Sequence, residues 1–191
     1  MLKNVTIGLI CSLFFISLIT GCTKSKADQK IELLTRRIKQ NPKNADAYSK
    51  RGVYYEALGK TEEAIQDYSR AIEIDPNAAN YYFNRGNIYS SKEHYQKALN
   101  DYNKAIELSK NDPDFYVNRG LVEKKLGHFD KAIGNFSAAI WLNNSDPDTY
   151  QVRGELYQQQ GQQSLANADF KQVEKLKAKQ QKQKDRRTKK E

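Results

Sequence analysis

The chain has 191 residues, 38% of them hydrophobic and 10% aromatic, with two cysteines and a formal charge of +9. That length suits one domain with enough aromatic area for a core, and so few cysteines exclude a disulfide-stapled scaffold. The charge is concentrated at one end: residues 171–191 hold ten Lys/Arg against three acids, whereas Leu9 to Phe170 carries 21 basic and 20 acidic residues. A near-neutral body argues against nucleic acid as a partner.

Residues 1–21 read as an export signal. One Lys precedes Val5 to Ile19, a run of 15 mostly apolar residues. That is shorter than the roughly 20 a helical span needs, and small residues follow at the cut site. The run Ile19-Thr20-Gly21-Cys22 resembles the lipobox of bacterial lipoproteins, in which an aliphatic residue and two small residues precede an invariant cysteine. The resemblance implies that Cys22 becomes the mature N-terminus, its thiol carrying a diacylglycerol with palmitate-class chains. Each buried acyl methylene contributes about 0.8 kcal/mol, so two or three chains hold a protein on a membrane for practical purposes permanently. Cys11 leaves with the signal, so no intramolecular disulfide is expected. Gram-negative lipoproteins kept at the inner membrane tend to carry Asp after the lipidated cysteine, and this chain has Thr23. The expected location is therefore the cell membrane outside the cytoplasm, and in a Gram-negative cell the outer membrane facing the periplasm. An uncleaved anchor is the alternative reading of the same run.

Residues 22–29 read as the lipidated cysteine and a polar tether, whose seven residues after Cys22 reach at most about 25 Å. Residues 30–42 read as a helix, with apolar spacing at Ile31, Leu34 and Ile38 and a stop at Asn41-Pro42. It occupies the second-helix place of a repeat whose first helix is missing, so it is expected to cap the array.

From Ala45 onward one pattern recurs every 34 residues: 45–78, 79–112, 113–146 and 147–178. Position 4 is Tyr48, Tyr82, Tyr116 and Tyr150; position 7 is Arg51, Arg85, Arg119 and Arg153; position 8 is Gly52, Gly86, Gly120 and Gly154. Position 20 is always Ala, position 24 is Tyr68, Tyr102, Phe136 and Phe170, and position 27 is Ala71, Ala105, Ala139 and Val173. Positions 4, 8 and 11 line one face of a first helix and positions 20, 24, 27 and 28 one face of a second. Gly at 8 and Ala at 20 remove bulk where the two cross, and the ring at 24 fills the space that is left. Gly59, Gly127 and Gly161 supply the turn between helices, with Glu93 in that place in the second repeat. Asp112-Pro113 and Asp146-Pro147 put a capping acid before a proline at the first helical position. Positions 7 and 23 offer an Arg to Asp bridge in three repeats, with Asn135 breaking the set. A row of anion-binding arginines is the other reading of those four cations.

This set of residues closely resembles the tetratricopeptide repeat. The resemblance implies an all-α solenoid, a right-handed superhelix whose concave groove is lined by first-helix residues and takes up protein or peptide segments. On this chain the groove candidates are Ser49, Val53, Phe83, Asn84, Asn87, Val117, Asn118, Leu121, Gln151 and Glu155. Amides hold a peptide backbone through paired bonds, and Phe83, Val117 and Leu121 offer apolar pockets. The carboxylate clamp of the chaperone-binding members is not expected, because only one amide of its set is matched.

Trp141 stands where repeats 1 and 2 have Glu73 and Glu107. It reads as an exposed anchor for a partner or as a plug against the fourth repeat. His94 and His128 have no His or Cys companion, so no metal, cofactor or catalytic site is expected. Residues 179–191 read as a basic tail that frays beyond Ala178, either solvating the end of the fold or meeting anionic polymer or lipid head groups. The sequence thus points to a membrane-anchored adaptor in assembly or regulation of a cell-envelope complex. The alternative is a structural component that self-associates or binds anionic polymer through the tail.

Overall fold

The computed structural model describes residues 25–188. The export signal, Cys22 and the last three residues of the tail lie outside the described residues. Nine helices follow one another and no strand occurs among the described residues: α1 (Lys26–Gln40), α2 (Ala45–Ala57), α3 (Thr61–Ile74), α4 (Ala79–Ser91), α5 (Tyr95–Leu108), α6 (Pro113–Lys125), α7 (Phe129–Leu142), α8 (Pro147–Gln159) and α9 (Gln163–Thr188). The all-α reading holds, and from α2 onward the first helices begin at the 34-residue spacing of the sequence.

Helix starts follow from local chemistry. Pro113 and Pro147 open α6 and α8, where a missing N–H costs nothing, and the carboxylates of Asp112 and Asp146 accept from the N–H groups of Asp114 and Asp148 at 3.0 and 3.1 Å. Asn44 does the same for α2, its side-chain oxygen accepting from the Ala47 N–H at 2.9 Å. The expected start of the leading helix is corrected, because α1 begins at Lys26 rather than Lys30. Ser25 accepts from the Asp28 N–H at 3.0 Å while the Asp28 carboxylate accepts from the Ser25 N–H at 3.2 Å. This reciprocal cap satisfies two orphan donors and recruits half of the expected tether into the helix.

The far end is corrected in the opposite sense: α9 continues as helix to Thr188 instead of fraying after Ala178. Lys, Gln, Arg and Ala are strong helix formers, and Gln181 donates to Asp185 one turn on at 2.8 Å. Every described residue beyond Leu176 is exposed, so about 18 Å of basic helix extends past its packing partners.

Helices pair as α2 with α3, α4 with α5, α6 with α7 and α8 with α9; each second helix then packs on the next first helix, and α1 packs on α2. The first helices α2, α4 and α6 also touch in succession, whereas the second helices have no comparable mutual contact among the described residues. The layer whose members stand closer together is the inner one, which places the first helices on the concave side.

The core is a column of repeated crossings. Tyr68, Tyr102 and Phe136 are essentially buried, and Ala64, Ala98, Ala132 and Ala166 have no exposed surface. A Cβ built at Gly52, Gly86, Gly120 or Gly154 would stand 2.8–3.0 Å from an atom of the ring opposite, Tyr68, Tyr102, Phe136 or Phe170. Those glycines are therefore a steric requirement of the crossing.

The turn between the two helices of a repeat needs a left-handed residue. Gly59, Gly127 and Gly161 have φ of 71°, 76° and 74°, and Glu93 is forced to 60° in the same place. Its turn closes like the others, with the His94 N–H donating to Tyr89 O at 2.8 Å as the Lys60 N–H donates to Tyr55 O at 2.8 Å. Left-handed geometry costs an L-residue about 1–2 kcal/mol, partly offset by the greater freedom a glycine loses on folding. Glu93→Gly is expected to raise stability by about 0.5–1 kcal/mol, read as a higher urea midpoint at unchanged slope. A midpoint that stays or falls would show that the Glu93 side chain contributes more than the strain costs.

Candidate partner-binding surfaces

The inner layer carries the groove candidates, and the structure sorts them. Val53 and Leu121 are exposed at 47% and 40% and form the apolar part of the open surface. Gln151 donates to Glu155 at 2.9 Å, and Glu155 in turn faces Lys124 of α6 at 3.5 Å, so a charged pair links neighbouring first helices across the groove. Asn84 is half-buried on the same layer.

Other candidates are drawn into the fold. Ser49 is buried, which takes it out of the groove lining. Phe83 is a packing ring between repeats, its centroid 4.8 Å from Phe115 and 5.9 Å from Tyr102. Val117 is half-buried and packs on the cluster of Ala132, Phe136 and Leu156. Asn118 is half-buried and donates to the Asp114 carbonyl one turn back at 2.9 Å. Asn87 accepts from the Tyr102 hydroxyl at 2.8 Å, which orients its amide toward the core.

The bond between Tyr102 and Asn87 belongs to a feature of the groove floor that residue spacing does not show. Rings at position 24 enter from the outer helix and end beneath the inner one, so Tyr102 reaches Asn87 and the Tyr68 hydroxyl donates to Glu56 at 3.1 Å. Burial pushes both hydroxyls up, Tyr102 to about 12 and Tyr68 further, so they act as donors throughout the physiological range. Phe136 and Phe170 lack the hydroxyl, so the rings of the last two repeats bring no such donor to the groove floor.

The arginines at position 7 are structural in three repeats. Arg51, Arg85 and Arg153 give Nε and Nη2 to both oxygens of Asp67, Asp101 and Asp169 at 2.7–2.9 Å. Their Nη1 donates to a hydroxyl on the preceding second helix, Thr35, Ser69 or Ser137, at 2.9–3.0 Å. Each guanidinium also lies over two tyrosine rings, Arg51 for instance 5.7 Å from the Tyr48 centroid and 5.6 Å from that of Tyr55. One side chain thereby ties three helices across a repeat boundary. Hydrogen bonding to the aspartate raises the pKa of these arginines. The aspartate partner is legible in the spacing; the hydroxyl partner is not, although a short polar residue, Thr35, Ser69, Asn103 or Ser137, stands 16 residues before each of the four arginines.

Trp141 is 83% exposed, so it does not plug a gap against the fourth repeat. It stands on α7, in the outer layer rather than in the groove. Among the described residues no group of His, Cys, Asp or Glu could hold a metal ion, and no helix is long and apolar enough to cross a membrane.

A solenoid of helix pairs with an open inner face and closed crossings belongs to the class of helical-repeat proteins that bind other proteins. A family model described as TPR repeat matches residues 55–93 and 86–127, and one described as tetratricopeptide repeat matches residues 33–66. The protein is a tetratricopeptide-repeat protein. Among solved structures, a crystal structure of MamA superposes with a TM-score of 0.77 at 25% identity, covering 83% of this chain and 98% of that one. MamA from Desulfovibrio magneticus RS-1 gives 0.75 at 17% identity over 82% of this chain and 88% of that one. PilF of Pseudomonas aeruginosa gives 0.70 at 18% identity over 78% and 75%, a likeness of fold. A search of the curated proteins found no match.

Proposed function

We propose that this tetratricopeptide-repeat protein is a lipid-anchored scaffold that holds protein partners of a bacterial cell-envelope complex on the inner face of its solenoid. The carrying observation is the inner layer itself. Three of the four first helices present Val53, Leu121 and the Lys124–Glu155 pair on one open surface, while the recurring Gly and aromatic residues and three of the four recurring arginines are taken up by packing and ion pairing. The membrane part rests on the Ile19-Thr20-Gly21-Cys22 run after an apolar segment too short to span. With α1 starting at Lys26, only Thr23, Lys24 and Ser25 separate Cys22 from the folded body. A lipid on Cys22 would hold the solenoid within about 10 Å of the bilayer surface.

Two measurements test the reading. Cys22→Ala is expected to abolish incorporation of labelled palmitate, leave the signal uncleaved in the intact mass and move the protein out of the lipid-anchored fraction. Unchanged mass and labelling would refute lipidation. Crosslinking in cells, with partners identified by mass spectrometry, is expected to lose its main products when Val53 and Leu121 are both changed to Asp, and to keep them in Trp141→Ala. Loss in Trp141→Ala alone would move the binding surface to the outer layer.

The extended basic end of α9 supports a second reading, in which the protein is a structural component bound to anionic polymer. Deleting residues 179–191 decides between the two, because it removes polymer binding in the second and leaves the partner set intact in the first.

A further inference from the structure

The third repeat breaks the arginine clamp, and it does so at several positions at once. Position 23 is Asn135 instead of Asp, position 11 is Glu123 where the other copies have Tyr55, Tyr89 and Tyr157, and position 22 is Gly134 in place of Gln66, Asn100 and Ala168. Position 26 is Ala138 where repeats 1 and 2 carry Arg70 and Lys104. These changes converge in space. They open a cavity of about 350 Å³ between α5, α6 and α7, on the outer side of α6 and away from the groove.

Arg119 faces this cavity with its hydrogen bonding incomplete. Its Nε donates to Asn135 Oδ1 at 2.8 Å and its Nη1 to Asn103 Oδ1 at 2.8 Å. The Asn135 Nδ2 is itself a donor and is turned to the Lys131 carbonyl at 2.8 Å. Arg119 Nη2 therefore has no partner among the described residues, whereas in the sibling sites it meets a carboxylate oxygen at 2.7–2.8 Å. Among the described residues Tyr116 alone stacks on this guanidinium, at 5.7 Å. The loss shows in the electrostatics: burial lowers the pKa of Arg119, the reverse of the other three arginines.

The charges around the cavity favour an anion. Lys131 lines it as a second cation without an ion-pair partner among the described residues. The one carboxylate in the lining, Glu123, is buried and bonded to His128 Nδ1 at 2.6 Å. What is absent is a single carboxylate oxygen at a place where three sibling sites each hold one.

We propose that this third-repeat cavity is a docking site for a carboxylate on a protein partner, an acidic side chain or a chain terminus, received by Arg119 Nη2 beside Lys131. The vacated place accepts one oxygen, because Nε is already satisfied by Asn135, and the cavity is at the small end of the range of ligand pockets. The site lies on the face opposite the groove and does not depend on the groove reading. It gives the solenoid a second, polar point of attachment.

The test is a titration of the purified full-length protein, labelled with nitrogen-15, following the arginine Nε–Hε signals. Probes are acetyl-Gly-Glu-Gly-amide, acetyl-Gly-Gly-Gly with a free terminus, acetyl-Gly-Gln-Gly-amide and inorganic phosphate. The expected result is a saturable shift of the Arg119 signal with one or both carboxylate peptides, and which of them binds identifies the source as side chain or terminus. Arg51, Arg85 and Arg153 should not move. Asn135→Asp, which supplies the missing oxygen from within, should fold at least as well and weaken peptide binding tenfold or more. Absence of a saturable shift, an equal response to the glutamine peptide, a response to phosphate alone, or full binding by Asn135→Asp would each overturn the proposal.

Discussion

Replacing Phe136 with Ala is expected to destabilise the protein by about 3–5 kcal/mol, the largest effect of any single substitution considered for this solenoid. The ring has no exposed surface, rests on Gly120, and shares a cluster with Ala132 and Leu156. The residues it meets at the crossing, Gly120 and Ala132, are small and have no side chain long enough to fill the space. Lost transfer energy and an uncollapsed cavity therefore add. In an array where each repeat contacts only its neighbours, damage at the third copy also weakens its interfaces with α5 and α8. Urea unfolding checks the magnitude, and hydrogen exchange checks the location, with protection falling first in α6 and α7. A loss below about 1 kcal/mol would show that the crossing is not the core its burial indicates.

The second large effect is expected from Asp101→Ala, at about 3 kcal/mol. Removing the carboxylate leaves Arg85 between Tyr82 and Tyr89 with the Ser69 hydroxyl as its one remaining acceptor among the described residues. Arg85 and Asp101 side chains are 20% and 8% exposed, so water cannot fully replace the lost partner. Asp101→Asn provides the internal comparison, because the third repeat uses that amide naturally. It keeps an acceptor for Nε and loses the one for Nη2, so its cost should be near half. Equal losses for Ala and Asn would mean that charge, and not the first hydrogen bond, carries the interaction.

The two substitutions probe the two kinds of position that a repeating sequence displays. Gly, Ala and aromatic residues at a strict 34-residue spacing announce the helix pairs, their order and their crossing, because sterics at a crossing leave few choices. Turn glycines and the Asp-Pro starts are equally legible, since each serves a local backbone requirement. The ends of the array are not, because the signals that set them lie outside the apolar periodicity. Ser25 and Asp28 cap each other without an apolar neighbour in register, and the Lys/Gln-rich end of α9 is helical by propensity without burying anything.

Groove residues are harder to read, because position in a repeat specifies which helix face a residue occupies and not what it meets there. Ser49 and Phe83 share that face with Val53, yet one is buried and the other is wedged against Phe115. Trp141 stands out in the sequence as a departure from Glu73 and Glu107, but its exposure depends on whether the fourth repeat reaches it, and that is a distance between helices.

By itself the sequence determined the all-α class, the register of the repeats and the three Arg to Asp pairs, since each follows from a spacing of 34 or 16 residues along one chain. Only the tertiary structure decided how the third copy differs. Asn135, Glu123, Gly134 and Ala138 are separate minor departures when read in order, and they become one cavity beside Arg119 because α5, α6 and α7 pack side by side. Periodicity reports what repeats share; which of their differences face each other is set by packing.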